Sequence, residues 1–224
     1  MEEGWDPMPA YMRQMIELSR SRGEGDRITR DRLASFGPNV KLYPGVAALF
    51  DGLRTAAAEV RDDAEIEFYC ISSGISEILR HTPIAHEFRR IFAGDFAYND
   101  RGEITFPKRM VSFTEKTRFL FQISKGVDDV NRRVDPDSYR IPMSRILFIG
   151  DGTTDIPCFS LVKRYDGVAI GVYEKDRPDK WGEKYESFIG DRRVTSIYTA
   201  NYQTGSDLHN FLLMAVRATA QKMG

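Results

Sequence analysis

The stretch Arg145-Ile146-Leu147-Phe148-Ile149-Gly150-Asp151-Gly152-Thr153-Thr154-Asp155-Ile156-Pro157 constrains the fold more than any other part of the chain. Four apolar residues run straight into a Gly-Asp-Gly turn. The run is short for a helix and too continuous for a half-exposed strand, so it reads as a strand buried on both faces. The glycines allow a sharp turn and leave room for a ligand. Asp155 before Ile156-Pro157 fits a helix start, where proline is tolerated in the first turn. Asp151 and Asp155 then share one loop at the carboxyl end of a buried strand, the place where open α/β sheets bind ligands.

A second stretch has the same grammar. Ile66 to Ile71 reads as a strand, Ser72-Ser73-Gly74 as a tight turn, and Ile75 to Leu79 as a helix start. Hydroxyls and backbone N–H groups at such a turn suit a phosphate. They equally suit plain helix capping by Ser72 or Ser73, and the residues alone leave both readings open. Between the two stretches, Ser112-Phe113-Thr114-Glu115 has the capping-box pattern and opens a helix through about Ser124. Lys116 lies in its first turn, against the helix dipole. It is either a solvated surface lysine or a residue placed there for another purpose.

The rest of the chain supplies the frame. Met8, Met12, Met15 and Ile16 fall on one helical face, and a shorter helix near Thr29 to Phe36 carries Leu33 and Phe36. A Met-rich face reads first as adaptable core. Tyr11, Arg13 and Arg20 on the first helix are candidate ligand contacts, with solvated surface as the plainer reading. Val46, Leu49, Phe50 and Leu53 form an apolar helical stripe behind Pro44-Gly45. Residues 91–107 read as a hairpin around Asn99-Asp100-Arg101-Gly102. Val168 to Tyr173 is a further buried strand, Val194 to Ala200 a short one, and Ser206 caps a last helix. Trp181 reads as an anchor within a charged loop.

Composition narrows the classes. With 224 residues, 42% of them hydrophobic, the chain can bury one sizeable core plus a small subdomain. A net charge of −1 gives no reason to expect nucleic acid or a membrane surface as partner. Cys70 and Cys158 both lie in apolar stretches, which fits a reducing, cytoplasmic compartment rather than a disulfide framework. His81, His86 and His209 show no metal-ligand spacing, which disfavours zinc. No Gly-x-Gly-x-x-Gly or Walker A pattern follows a strand, which disfavours a nucleotide-binding reading of the Gly-Asp-Gly turn.

Ser72, Lys116 and the Gly150-to-Asp155 loop thus follow one another in chain order. This succession resembles the haloacid dehalogenase-like (HAD) hydrolase superfamily, and within it the phosphoserine-phosphatase-like branch. The likeness covers roughly residues 41–215: Ile71-Ser72-Ser73-Gly74 is similar to the second family motif, Lys116 to the third, and Gly150 to Asp155 with Pro157 to the fourth. It implies an α/β fold with a Rossmann-like, mostly parallel sheet and helices on both faces. Residues 1–40 would form a small helical cap and residues 41–224 the core. It also implies a magnesium-dependent phosphatase acting on a small phosphorylated metabolite through an aspartyl-phosphate. Asp151 would be the Mg²⁺ ligand and Asp155 its hydrogen-bonding support. Ser72, with Ser73 or Gly74 N–H, would bind a phosphoryl oxygen, and Lys116 would neutralise charge between phosphate and nucleophile.

One departure stands against the match. The family's first motif, an Asp-x-Asp that ends the first strand and supplies the nucleophile and the general acid/base, is absent upstream of Ser72. Asp6, Asp26 and Asp62-Asp63 are wrongly placed for it. The chain is therefore expected to start downstream of its own nucleophile and to lack a central strand. Truncation is the favoured explanation, because each unpaired buried backbone group costs about 1–3 kcal/mol, a large share of a domain's net stability. The alternative is a non-catalytic phosphate-binding or interaction module on the same fold.

Overall fold

The computed structural model describes residue 4, residues 6–176, residue 188 and residues 192–222 of the chain. Trp181, most of the charged loop around it and the acidic first residues lie outside the described residues. Contacts divide the chain into two units, Met1–Lys41 with Glu67–Ser112, and Leu42–Ile66 with Phe113–Gly224. The fold is α/β, with parallel strand pairs flanked by helices. Among the described residues, the strands form two three-stranded sheets, in the orders β1-β2-β3 and β4-β5-β6.

In the first unit, helix α1 (Pro7–Ser21) starts where Asp6 accepts a 3.0 Å hydrogen bond from Met8 N, with proline at its first position. Met8, Met12 and Ile16 from α1 join Leu33, Ile75, Phe96 and Ile104 in one apolar cluster, against which Met15 packs. The methionine face is therefore core. Thr29 caps the short α2 (Arg30–Ala34), whose Leu33 is buried. The helix is shorter than expected: α2 ends at Ala34, so Phe36 lies beyond it and is 53% exposed.

Strand β1 (Phe68–Ile75) pairs in parallel with β2 (Phe88–Tyr98), and β2 pairs antiparallel with β3 (Ile104–Arg109). The β2–β3 hairpin turns at the expected residues. Asn99 Oδ1 accepts from Arg101 N and Glu103 N, and Gly102 adopts a φ of +74°. Pro107 sits in β3, a strand paired on one side only among the described residues, where a missing N–H is tolerated.

The second unit is built on three parallel strands, β4 (Leu147–Gly150), β5 (Val168–Tyr173) and β6 (Ser196–Thr199). Helix α3 (Val46–Ala58) buries Leu49, Phe50, Leu53, Ala56 and Ala57 and packs on the last helix, α7 (Asp207–Gln221). Ser206 caps α7 as expected, accepting from His209 N. Helix α5 (Phe113–Lys125) packs on α6 (Ile156–Arg164), which follows the Asp151 loop. The expectation that β4 is buried on both faces holds only in part: Phe148 and Gly150 are buried, whereas Leu147 and Ile149 are half-exposed. The reason is position. Strand β5, paired on both sides, buries Ala169 through Val172, while β4 pairs only with β5 among the described residues.

Candidate functional site

The chemistry of the second unit gathers where β4 ends. Gly150 closes the strand, a single turn spans Thr153–Asp155, and α6 begins at Ile156 with Pro157 in its first turn. Asp155 is 5% exposed and organises the loop. Its Oδ2 accepts from Gly152 N at 3.1 Å and from Asp151 N at 3.2 Å. Its Oδ1 accepts from Lys116 Nζ at 2.7 Å. Gly150 is required by this arrangement, since a Cβ there would lie 2.6 Å from the Asp155 Cγ. Gly152 has a φ of −129°, and a Cβ there would make only ordinary contacts, the nearest 3.6 Å from Thr154 Oγ1, so no comparable steric demand falls on it.

Lys116 is not a surface residue. It is 4% exposed, although it sits in the first turn of α5. Its ammonium donates to Thr154 Oγ1 at 2.8 Å as well as to Asp155. Two of its three N–H donors are accounted for, and the third remains for another acceptor. A buried ion pair with added hydrogen bonds is strongly favoured over either ion alone, because an unpaired charge there keeps its full desolvation cost.

Asp151 is a different kind of carboxylate. It is exposed, and its side chain makes no hydrogen bond or ion pair among the described residues. Beside it stand two tyrosines that sequence reasoning missed. Tyr43 donates to Glu174 Oε1 at 3.2 Å, and its ring lies 6.4 Å from that of Tyr202. Burial, then the charges of Asp151 and Glu174, push the Tyr43 phenol up to about 12. Burial first, then Tyr43 and Asp151, push Tyr202 up as well. Both phenols therefore stay protonated at neutral pH. Their only sequence signal is position, just before α3 and just after β6, and no motif connects them. Cys158 packs behind the loop, and burial, then Asp155, push its thiol up to about 12, which makes it inert.

Ser72, Ser73 and Gly74 belong to the first unit. They form part of β1 rather than a turn that ends it. Ile71 pairs with Phe92 and Ile75 with Gly94, so three residues of β1 lie opposite one of β2 and bulge from the ladder. Ser72 Oγ accepts from Gly74 N at 3.0 Å, and Ser73 Oγ donates to Val111 O at 3.0 Å. The capping reading is overturned: α4 (Ser76–Leu79) follows Ile75 and has no side-chain cap. Gly74 N–H is already used, so it is not the free phosphate donor expected, whereas the Ser72 hydroxyl keeps its proton to donate.

Among the described residues, no three His, Cys, Asp or Glu side chains are grouped to hold a metal ion. The donor set fits Mg²⁺ only in its sparse mode, one carboxylate with waters and substrate oxygens. Asp151 is the free carboxylate, and both oxygens of Asp155 are engaged. Among the described residues, no helix is long and apolar enough to cross a membrane.

No protein-family model matches the chain. A protein of Borreliella burgdorferi (strain B31), named only as uncharacterized, is 27% identical over 226 residues, covering 89% of this chain and 77% of that protein. Among solved structures, a HAD family hydrolase from Salmonella enterica serovar Typhi is similar, with a TM-score of 0.44 and 17% identity. That likeness covers 95% of this chain and 66% of the Salmonella chain, so this chain spans just under two thirds of its length.

Proposed function

We propose that the chain is a phosphatase-type hydrolase module of the HAD kind, acting on a small phosphorylated metabolite and using Mg²⁺. One observation carries the reading: Lys116 is buried and held by Thr154 and Asp155 at the end of β4. An ammonium fixed in that position costs no reorganisation when negative charge develops near it, which is the main lever in phosphoryl transfer. Asp155 orients the ammonium and the loop backbone. Asp151 presents a carboxylate that would hold the magnesium ion, which supplies charge neutralisation when bound. In the first unit, Ser72 offers a hydroxyl fixed by Gly74 N as a phosphoryl-oxygen donor.

Residues 1–224 carry no Asp-x-Asp upstream of β1, so the nucleophile and general acid/base are not assigned to any residue of this chain. The expected behaviour is binding without turnover. Calorimetric titration of the 224-residue protein with inorganic phosphate should show binding that depends on magnesium and is lost in Asp151→Asn. Under the same conditions p-nitrophenyl phosphate should not be hydrolysed. Phosphate binding indifferent to magnesium and to Asp151→Asn would sink the reading. Magnesium-dependent hydrolysis abolished by Asp151→Asn would show that this chain does contain its nucleophile.

A further inference from the structure

In the first unit, strand β3 departs twice from regular pairing with β2. Tyr98 pairs with Ile104 and Ala97 with Phe106, so Thr105 is an extra residue. Phe96 pairs with Pro107 and Asp95 with Arg109, so Lys108 is another. Opposed residues share a face of the pair. Phe96 and Ile104 belong to the apolar cluster, so Phe106, opposite Ala97, lies on the other face. Without Thr105, side-chain alternation would put Phe106 on the cluster side. The bulge is held in place. Thr105 Oγ1 donates to Ala97 O at 3.0 Å, and Arg20 Nη2 donates to Thr105 O at 3.4 Å. Phe106 is thereby turned outward and, at 69%, is the most exposed large apolar side chain among the described residues, with Met110 also exposed beyond it. Bulges re-aim side chains in this way, and a phenylalanine left in water forgoes about 1.5–3 kcal/mol of burial. Lys108 and Arg109 are exposed, and their side chains make no ion pair or hydrogen bond among the described residues. Arg20, bonded to the neighbouring Thr105, adds a third cation, and Asp95, opposite Arg109, offsets one of the three.

We propose that this face of the hairpin binds an acidic segment of a partner protein, one that carries an apolar anchor. The anchor packs on Phe106 and Met110, and flanking carboxylates meet Lys108, Arg109 and Arg20. The excess of positive charge selects an acidic partner, and the turned-out ring supplies the contact that holds it. Recognition runs through side chains rather than strand addition. On the outer edge of β3, Ile104 N already donates to Ile28 O, Thr105 O is taken by Arg20, and Pro107 has no N–H. A membrane surface is disfavoured, because the protruding tip, Asn99-Asp100-Arg101-Gly102, is polar and Arg101 is paired with Glu24. Single-stranded nucleic acid is disfavoured too, because one ring gives no run of stacking platforms. The proposal does not depend on the phosphatase-type reading.

Selection of phage-displayed random peptides on the 224-residue protein tests this. The enriched peptides should share an apolar residue flanked by Asp or Glu. A synthetic peptide of the enriched sequence should bind more weakly as salt rises. Phe106→Ser, and Lys108→Glu combined with Arg109→Glu, should each weaken it by about tenfold or more. Met214→Ser, at an exposed position on α7 in the other unit, should leave it unchanged. Lys108 and Arg109 are exposed, so their variant keeps the test valid should Phe106→Ser fold poorly. Enrichment of sequences without acids, binding indifferent to both hairpin variants, or an equal loss in Met214→Ser overturns the proposal. Binding of phosphatidylserine vesicles or oligothymidylate, or self-association in sedimentation, that is lost in the same hairpin variants assigns the face to another occupant and overturns it equally.

Discussion

The Ser72 segment in the first unit and the Asp151 loop in the other share a sequence pattern, yet they are held in different ways. Each is an apolar strand running into small residues, and each satisfies backbone N–H groups with a nearby side chain. In β1 the fixing group is a neutral hydroxyl, Ser72, closing on Gly74 two residues away. At the end of β4 it is a buried carboxylate, Asp155, which takes two backbone N–H groups and pulls an ammonium in from α5. The first device is local and modest. The other ties together β4, α6 and α5, and needs all three to be in place. The bulge in β1 is fixed without charge, whereas the charged loop holds a cation and an anion close together before any ligand arrives.

The largest test of that contrast is Lys116→Met. It leaves Asp155 as an unpaired buried charge and should cost about 3–5 kcal/mol in denaturant unfolding. The double variant Lys116→Met with Asp155→Asn should recover much of the loss, since the amide oxygen can still accept from the loop backbone. A loss below about 1 kcal/mol for the single variant would place this pair with ordinary surface ion pairs. Next comes a paired glycine comparison. Gly150→Ala drives a Cβ to 2.6 Å from Asp155 Cγ, and overpacking of this kind should cost about 1–3 kcal/mol. Gly74→Ala meets Ser72 Oγ at 3.2 Å, a rotatable hydroxyl, and Leu79 Cδ1 at an ordinary 3.8 Å, and should cost less. Equal costs at the two positions would erase the distinction. The smallest effect is expected for Ser72→Ala, which removes one hydrogen bond worth about 0.5–1.5 kcal/mol. Its signature is faster hydrogen exchange at the Gly74 amide, with global unfolding nearly unchanged.

Much of the architecture was legible because it follows local rules. The Met8–Met12–Ile16 stripe repeats at helical spacing and becomes core. Asn99-Asp100-Arg101-Gly102 turns a hairpin because Asn99 can bond its own backbone and Gly102 tolerates positive φ. Lys116 was ambiguous for a physical reason. A lysine in a first turn is unfavourable by the dipole rule, but only its partner decides whether it is solvated or held, and Asp155 lies 39 residues away. Phe36 misled because helical spacing was extrapolated past the real end of α2. The Ser72 segment misled because a bulge set by pairing with β2 resembles, in one dimension, a turn.

The sequence by itself determined the α/β class, the elements on either side of Asp151, and the identity of the residues that carry charge. Those are properties of short windows, governed by periodicity, turn chemistry and capping. Only the tertiary structure decided that Lys116 is buried, that Gly150 is sterically obligatory, and that Tyr43, Glu174 and Tyr202 meet beside Asp151. Tyr43 and Tyr202 lie far apart in the chain and share no pattern. They meet because parallel registers align the ends of β4, β5 and β6 at one edge, and the α3 approach loop closes over them.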